Sequence, residues 1–339
     1  RYAIEKMCKE KKSLNHFNTF ENLKSKRTMK CNRLALCAYC LLLALPLGAQ
    51  VNVRYEKKEK GVYEFIGENN LNIPVSVFVR FTDLQGYTGY LPSGRPYVLN
   101  SGSKTLFRLT PRQGSNNYVF RYNYSWRKGD FTEKPDTAFV YLPPVRPGKT
   151  VVVQRGVTLK GFIDRKVEEK EKAGLSFHTE EGDTIYAMRK GVVTDVVDHK
   201  ASKGKGVIYN DTENYVRIYH EDNTFMTYSL LQNDGIFVQP GETVLPGQPI
   251  GLAGGTNYRS GSRLHVSLYG WLPATEEDNI KDLVYHRAYR LINPYLYGFG
   301  KVDVIKGGVS FPCEHPLDII TQEMSKREIK KYKKEHGLR

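Results

Sequence analysis

Short runs of alternating apolar and polar residues, separated by glycine- and proline-rich turns, fill most of this chain. Residues 75–81 alternate bulky apolar side chains, and residues 118–126 place an aromatic side chain at every second position. A period of two is typical of β-strands that bury one face. Turn sequences such as those at 92–94 and 114–116 separate these runs. We therefore predict an all-β protein whose residues 50–150 form an immunoglobulin-like β-sandwich.

The aromatic stripe in residues 118–126 is compatible with two roles. Its rings could stack on sugars at the surface, or they could fill the core between two sheets. We favour core packing, because period-two alternation places all these rings on one sheet face and the polar side chains on the other.

The first 49 residues carry the pattern of an export signal. A short basic segment at 29–33 precedes a 14-residue apolar run at 34–47, and small residues follow directly before Gln50. This order is typical of a secretory signal peptide, and the run is too short to span a bilayer comfortably. We predict an upstream extension at 1–28, a signal peptide at 29–49, and an exported protein, periplasmic or secreted, with no membrane span after cleavage.

The net charge indicates which ligands the protein can bind, and the cysteine positions indicate whether it has a disulfide. The chain has 51 Lys and Arg against 36 Asp and Glu. Residues 1–49 contain 10 of the basic and 3 of the acidic side chains, so a chain starting at Gln50 would carry a net charge of +8. This charge favours anionic surfaces such as cell-wall polymers, whereas no nucleic-acid-binding motif is present. Of the five cysteines only Cys313 follows residue 49, so no internal disulfide is expected.

Prolines mark the boundary between two predicted domains. Residues 141–148 hold three prolines, which a central strand does not tolerate. We predict a second β-domain at 151–297 and a C-terminal tail at 298–339. The tail contains a predicted basic amphipathic helix at 323–334, where Ser325 and Glu328 have the spacing of a capping box.

Four sequence blocks in the second domain resemble one protein family. Residues 182–193 are similar to a G-T-P-V-Y-A-x-x-x-G-V-V strand pair, and residues 214–228 to an N-Y-V-x-I-x-H-x-x-G-x-x-x-x-Y hairpin. Residues 238–251 match V-x-x-G-x-x-V-x-x-G-Q-x-I-G, and 263–268 fall where the family has H-L-H-F-E. In this order the blocks resemble the lysostaphin-type (LytM-like) zinc metallopeptidases, which implies a LytM-like antiparallel β-domain.

The resemblance implies a zinc site that this chain largely lacks. Family members cleave peptide cross-bridges of peptidoglycan with a zinc ion held by an H-x-x-x-D motif and by the second His of H-x-H. The H-x-x-x-D positions correspond here to Lys172 and Ser176, and the first His of H-x-H corresponds to Arg263. A further family histidine, in Y-x-H-L, corresponds to Leu230, so His265 alone matches.

The positions of the histidines indicate, without any alignment, that the chain lacks most of the family's zinc ligands. The eight histidines stand at 16, 178, 199, 220, 265, 286, 315 and 336, so none lies between residues 50 and 177. Alternation also places the Arg263 guanidinium on the same strand face as His265, where its charge opposes a dication. We therefore predict no bound cofactor, no catalytic residues and an inactive domain, with His178 as a weak alternative zinc ligand beside His265.

We predict that the groove of this domain binds a ligand through Arg263, His265, Tyr228 and Tyr258. The expected partner is a peptidoglycan fragment or an envelope protein, including a cell-wall hydrolase that the protein regulates. Arg263 suits a peptide carboxylate through its bidentate fork. Two alternatives remain open at this point: an active peptidoglycan metalloendopeptidase with a non-standard zinc site, and a purely structural envelope protein.

Overall fold

A computed structural model describes residues 50–90, 95–157, 172–199, 213–255, 262–271, 289–303 and 307–338. The first part of the chain forms seven strands, namely β1 Val51–Lys57, β2 Tyr63–Asn69, β3 Val75–Gln85, β4 Tyr87–Thr88, β5 Tyr97–Leu99, β6 Gly102–Pro111 and β7 Val119–Lys128. They make two antiparallel sheets, ordered β1-β2-β6-β4 and β5-β3-β7.

One hydrophobic core lies between these two sheets. Phe65 and Leu109 of the first sheet and Val77 of the second are fully buried in it. The alternate aromatic side chains of β7, including Tyr122 and Trp126, pack against the same core. The aromatic stripe therefore serves core packing. The two-sheet sandwich is observed, and its assignment as immunoglobulin-like stays a prediction.

The rest of the chain is also mostly strands. They are β8 Val140–Tyr141, β9 Thr150–Val157, β10 Lys172–His178, β11 Thr184–Tyr186, β12 Gly191–Val197, β13 Tyr215–Tyr219, β14 Thr224–Ser229, β15 Leu231–Ile236, β16 Thr243–Val244, β17 Pro249–Ala253, β18 Arg263–Trp271, β19 Tyr289–Ile292, β20 Tyr295–Leu296, β21 Gly300–Lys301 and β22 Val309–Pro312. Two helices follow, α1 Leu317–Ile320 and α2 Lys326–Glu335.

A nine-stranded main sheet organises this second part. Its order is β16-β12-β13-β14-β18-β10-β9-β22, and β19 pairs with the C-terminal half of β18. One face is buried against a small sheet ordered β11-β17-β15, and alternate side chains such as Leu264, Val266 and Met226 fill the core between them. The opposite face of the main sheet carries the intervening residues of the same strands. We call this second surface the groove face.

The β-sandwich covers one end of the groove face. Ile73 of the sandwich shares an apolar cluster with Tyr219 and Phe225. The ring of Trp271 lies 4.6 Å from that of Phe131, and its indole N–H donates a 2.8 Å hydrogen bond to the Lys128 carbonyl. Because Trp271 ends β18 and Arg263 begins it, the groove face remains free of the sandwich at the Arg263 end.

The C-terminal helix is confirmed, with a later start than predicted. Ser325 is its N-cap and forms a complete capping box with Glu328, so the helix begins at Lys326 rather than at Glu323. Among the described helices none is both long enough and apolar enough to cross a bilayer.

Candidate functional site

His265 lies in the middle of a row of polar residues that crosses the groove face. Its cross-strand neighbours are Ser176 on β10 and Ser229 on β14. Ser176 in turn faces Gln154 on β9, and Ser229 faces Tyr215 on β13. Directly opposed residues on adjacent strands point to the same side of a sheet, so these five side chains share one surface.

The next row toward the open end carries the positive charge. Arg263 lies two residues from His265 on β18, and its cross-strand neighbour is His178 on β10. Arg263 is partly buried, whereas His178 is exposed. Partial desolvation and the Arg263 charge both lower the pKa of His178, and burial lowers the pKa of His265. Both imidazoles are therefore neutral near pH 7.

A carboxylate borders the same part of the groove face. Glu213 lies two residues before Tyr215 and close to Ser229, whose hydroxyl donates at 3.5 Å to the His265 backbone carbonyl. Burial raises the pKa of Glu213, and the interaction with Ser229 opposes that shift. Glu213 was not among the predicted site residues, although the alternation that places Tyr215 and Arg217 on the groove face extends back to it.

The charged residues closer to the sandwich are already paired. Lys128 of the sandwich contacts Asp195 at 2.6 Å, and the Arg217 guanidinium lies 3.6 Å from the same carboxylate. Arg217 also donates to the Thr227 hydroxyl at 3.2 Å. Burial by itself would raise the pKa of Asp195, but the interactions with Lys128 and Arg217 hold it below its usual value.

The four residues predicted to line the groove do not all lie on the groove face. Arg263 and His265 lie on the groove face, as alternation along one strand requires. Tyr258 lies outside the described residues. The prediction for Tyr228 is wrong, because this side chain is fully buried on the opposite face of the sheet. Tyr228 pairs with Val266, a core residue, and its hydroxyl accepts a 2.8 Å hydrogen bond from the Met188 backbone N–H.

Leu230, at the position of a family histidine, is also a core residue. It is 9% exposed and has a left-handed backbone with φ of 68°, which is uncommon for a leucine. The Gly254 N–H donates to its carbonyl at 2.8 Å. Leu230 therefore supplies no proton-transfer group to the groove.

The residues at the family ligand positions do not fit a zinc ion. A catalytic zinc site needs three protein ligands drawn from His, Cys and carboxylate side chains. His265 supplies one imidazole, but its neighbour at the carboxylate position is the hydroxyl of Ser176, and the Arg263 cation lies on the same face. The described residues bring no third ligand to this row.

One cluster elsewhere has the composition of a metal site. Ligand atoms of Asp198, His199 and Asp234 lie within 4.8 Å of one another, and no other such group occurs in the described ranges. The Asp198 carboxylate already accepts hydrogen bonds from three backbone N–H groups, those of His199, Asp234 and Ile236. Asp198 follows β12, and two strands separate β12 from β18, so this cluster is distinct from the row around His265.

His220, which the sequence places in the family hairpin, has a structural role. It is fully buried, and its Nδ1 lies 2.8 Å from the Lys190 carbonyl. Its Nε2 has no hydrogen-bond partner among the described residues. Burial, reinforced by the nearby Arg189 charge, lowers the pKa of His220, so the ring stays neutral in the folded protein.

Solved structures with similarity to this chain include members of the predicted family. The catalytic domain of lysostaphin from Staphylococcus simulans is 22% identical, with 30% of this chain and 68% of that chain covered and a TM-score of 0.23. The catalytic domain of the prophage-encoded M23 protein EnpA from Enterococcus faecalis is 20% identical, with 50% of this chain and 98% of that chain covered and a TM-score of 0.26. Csd3 from Helicobacter pylori is 13% identical, with 84% of this chain and 77% of that chain covered and a TM-score of 0.30.

No curated protein sequence matches the chain. Residues 170–277 match peptidase family M23, and this range contains all four sequence blocks as well as strands β10 to β18. By this match, residues 170–277 form a peptidase family M23 domain, and the other described residues of the chain are also mostly β.

Proposed function

We propose that this protein is an exported, catalytically inactive member of the M23 fold whose groove face binds peptide fragments of peptidoglycan. The observation that carries the proposal is the row Ser176–His265–Ser229, with Arg263 on the same face. This row replaces the carboxylate of the family's zinc site by a hydroxyl and adds a permanent cation.

Electrostatics supports inactivity. A zinc ion activates its bound water by lowering the pKa of that water, which requires the metal to be held firmly with one position open. A complete structural zinc site in a peptide contributes roughly 10–16 kcal/mol. One neutral imidazole beside a guanidinium supplies only a small part of that free energy, since the cation repels the dication.

The same residues suit a ligand with a carboxylate. The Arg263 side chain forms no ion pair with any residue that the structure describes. A partly buried guanidinium without a partner binds a carboxylate well, because its two parallel N–H groups match the two oxygens. The neutral imidazoles of His178 and His265 can each donate and accept a hydrogen bond beside it.

Export places the protein near such ligands. Residues 29–49 have the pattern of a signal peptide, and the predicted mature chain is basic, which favours association with the anionic cell wall. Stem peptides of peptidoglycan carry free carboxylates, so a peptidoglycan fragment is the ligand class that fits both the groove and the compartment.

Two parallel assays test this proposal. Zinc in the purified protein is measured by mass spectrometry, and purified peptidoglycan is incubated with the protein with and without a chelator. In the same experiment, soluble peptidoglycan fragments are titrated by calorimetry. We expect substoichiometric zinc, no released peptide and saturable binding that Arg263→Ala weakens. Stoichiometric zinc with chelator-sensitive cleavage would instead establish a metalloendopeptidase with a non-standard site.

A further inference from the structure

Two side chains of opposite charge frame the open end of the groove face without contacting each other. Arg263 begins β18, and Glu213 lies two residues before the start of β13. In the main sheet β14 lies between these two strands. At the usual spacing of about 4.8 Å per strand, the two backbones are about 10 Å apart. No ion pair joins Arg263 to Glu213, which belong to the described part of the chain.

β14, the strand between Arg263 and Glu213, ends before it reaches the row that holds these two residues. β14 ends at Ser229, and Leu230 then turns the chain away with its left-handed backbone. The row that carries Arg263 and Glu213 therefore has no β14 side chain between the two charges. Ser229 and His265, one row further in, form the floor of this gap.

Glu213, Arg263 and His265 have hydrogen-bond donors and acceptors that no described residue uses. A carboxylate such as that of Glu213 offers about four acceptor positions, of which Ser229 occupies at most one. The guanidinium of Arg263 and the imidazole of His265 have no side-chain hydrogen bond among the residues described. Polar groups that are partly removed from water are ordinarily satisfied, so this set is arranged for a ligand.

Charge on the two sides of the gap is asymmetric. On the β18 side the positive charge is that of Arg263, since its neighbour His178 is neutral near pH 7. On the other side, beyond β13, the carboxylates of Asp198 and Asp234 add negative charge near the end of β12. Among the described side chains, a cation therefore lies at β18 and carboxylates lie at and beyond β13, an arrangement that orients a dipolar ligand.

We propose that the groove selects a short zwitterionic peptide, whose free carboxylate binds Arg263 and whose free ammonium group binds Glu213. An extended dipeptide spans about 7 Å, which is less than the roughly 10 Å between the backbones of the two strands. His265 and Ser229 then contact the peptide unit between the charges. This inference rests on the proposed function, since it specifies which part of a peptidoglycan fragment is recognised: an end bearing both charges rather than a neutral stretch.

Ligands that lack one charge each provide the test. Alanyl-alanine, its N-acetyl form and its C-terminal amide, in the L,L and D,D forms, are titrated by calorimetry into the wild type, Arg263→Gln and Glu213→Gln. In the wild type we expect either blocked ligand to bind about tenfold or more weakly than the free dipeptide. Arg263→Gln should bind the free dipeptide and the amide equally, and Glu213→Gln should bind the free dipeptide and the acetylated form equally.

Control variants separate this effect from net charge and from misfolding. Arg80→Gln and Glu221→Gln remove the same charges at exposed positions outside the gap, and they should keep the wild-type preference. Arg263→Lys retains the charge without the bidentate fork, and it should retain part of the preference against the amide. A thermal melt of each variant confirms folding.

The outcomes distinguish this inference from the proposed function. Equal binding of free and blocked dipeptides by the wild type, or no binding of any of them, overturns the zwitterion inference. If peptidoglycan fragments still bind in that case, the proposed function stands. Selective binding of the free dipeptide without binding of peptidoglycan fragments supports the inference and removes the proposed function.

Discussion

Ser176 lies directly opposite His265 on the neighbouring antiparallel strand of the main sheet. In the family motif these two positions carry an aspartate and a histidine that hold zinc together. The pairing therefore supports the assignment of Ser176 to the carboxylate position, and it shows why a hydroxyl there removes a ligand that no other described residue replaces.

The register of Ser176 and His265 predicts that a zinc site can be rebuilt. The variant Lys172→His/Ser176→Asp/Arg263→His restores the H-x-x-x-D pair and removes the opposing cation. We expect this variant to retain zinc after dialysis against metal-free buffer, because it has the family's H-x-x-x-D pair and His265 as ligands and lacks the opposing cation. Mass spectrometry of the dialysed protein measures the zinc content.

A matched control places the new carboxylate one strand away. Gln154 lies opposite Ser176 on β9, so Lys172→His/Gln154→Asp/Arg263→His has the same added donors with the aspartate about 4.8 Å farther from His265. This control should retain no zinc. Equal zinc in both variants would show that the register does not determine the site.

Arg189 is expected to be a main determinant of stability. Its buried guanidinium contacts Glu323 at 2.7 Å and Asp222 at 2.8 Å and lies 3.6 Å from the ring centre of Phe139. Arg189→Ala leaves two carboxylates without their partner, so we expect a loss of about 3–5 kcal/mol in the free energy of unfolding. Urea denaturation followed by fluorescence measures it.

A more exposed ion pair next to Arg189 serves as the control. Lys190 contacts Glu328 at 3.0 Å, and the Glu328 side chain is 48% exposed. Lys190→Ala should reduce the free energy of unfolding by less than about 1 kcal/mol. Similar losses for the two variants would contradict a special role of Arg189.

Gly129 is expected to be essential for the contact between the sandwich and the M23 domain. It has φ of 93°, and a Cβ there would lie 3.1 Å from Phe225 and Trp271. Gly129→Ala should therefore both strain the backbone and separate the packed rings. We expect it to destabilise the protein by more than about 1–3 kcal/mol, the usual range for backbone strain, and to increase proteolysis between the two domains.

Gly114→Ala is the control that separates backbone strain from a steric clash. It has φ of 77°, but a Cβ there would meet no atom within 4 Å. Gly114→Ala adds strain without a clash, so it should be the milder of the two substitutions and leave the proteolysis pattern unchanged. A reversed order would show that strain, not packing, dominates at Gly129.

Acid should destabilise the protein partly through His220. Burial and the Arg189 charge lower the pKa of His220 in the folded state, so below its ordinary value of about 6.5 the unfolded chain binds the additional proton. Stability contributed by neutral His220 is present above that value and falls as the pH drops toward the lowered folded pKa. The maximal slope for one proton is about 1.4 kcal/mol per pH unit.

His220→Asn isolates this contribution, because its amide can still donate to the Lys190 carbonyl. Urea denaturation between pH 7 and pH 5 should show a smaller loss of stability with acid for this variant than for the wild type. His336→Asn, at an exposed position, controls for the introduction of an asparagine elsewhere in the chain. An unchanged slope in His220→Asn would contradict the assignment.

Several features were predictable because they depend on local sequence. Alternation defined the strands at 75–81 and 118–126, and the spacing of Ser325 and Glu328 defined the start of the last helix. The proposal that this chain lacks most of the family's zinc ligands also rests on local sequence, namely on the positions of its histidines, and it stays a prediction. Arg263 and His265 could be placed on one face because they lie two residues apart on one strand.

Tertiary structure decided what depends on contacts between distant segments. Tyr228 was predicted to line the groove, but its pairing with Val266 places it in the core, and register between strands is set by burial of the whole sheet. Glu213 and Arg263 lie on opposite sides of one gap because β14, the strand between them, ends at Ser229. Likewise, Arg189 reaches Glu323 across 134 positions and the sandwich covers Trp271. Such contacts are set by how distant segments of the chain pack on one another, and local sequence periodicity carries no information about that packing.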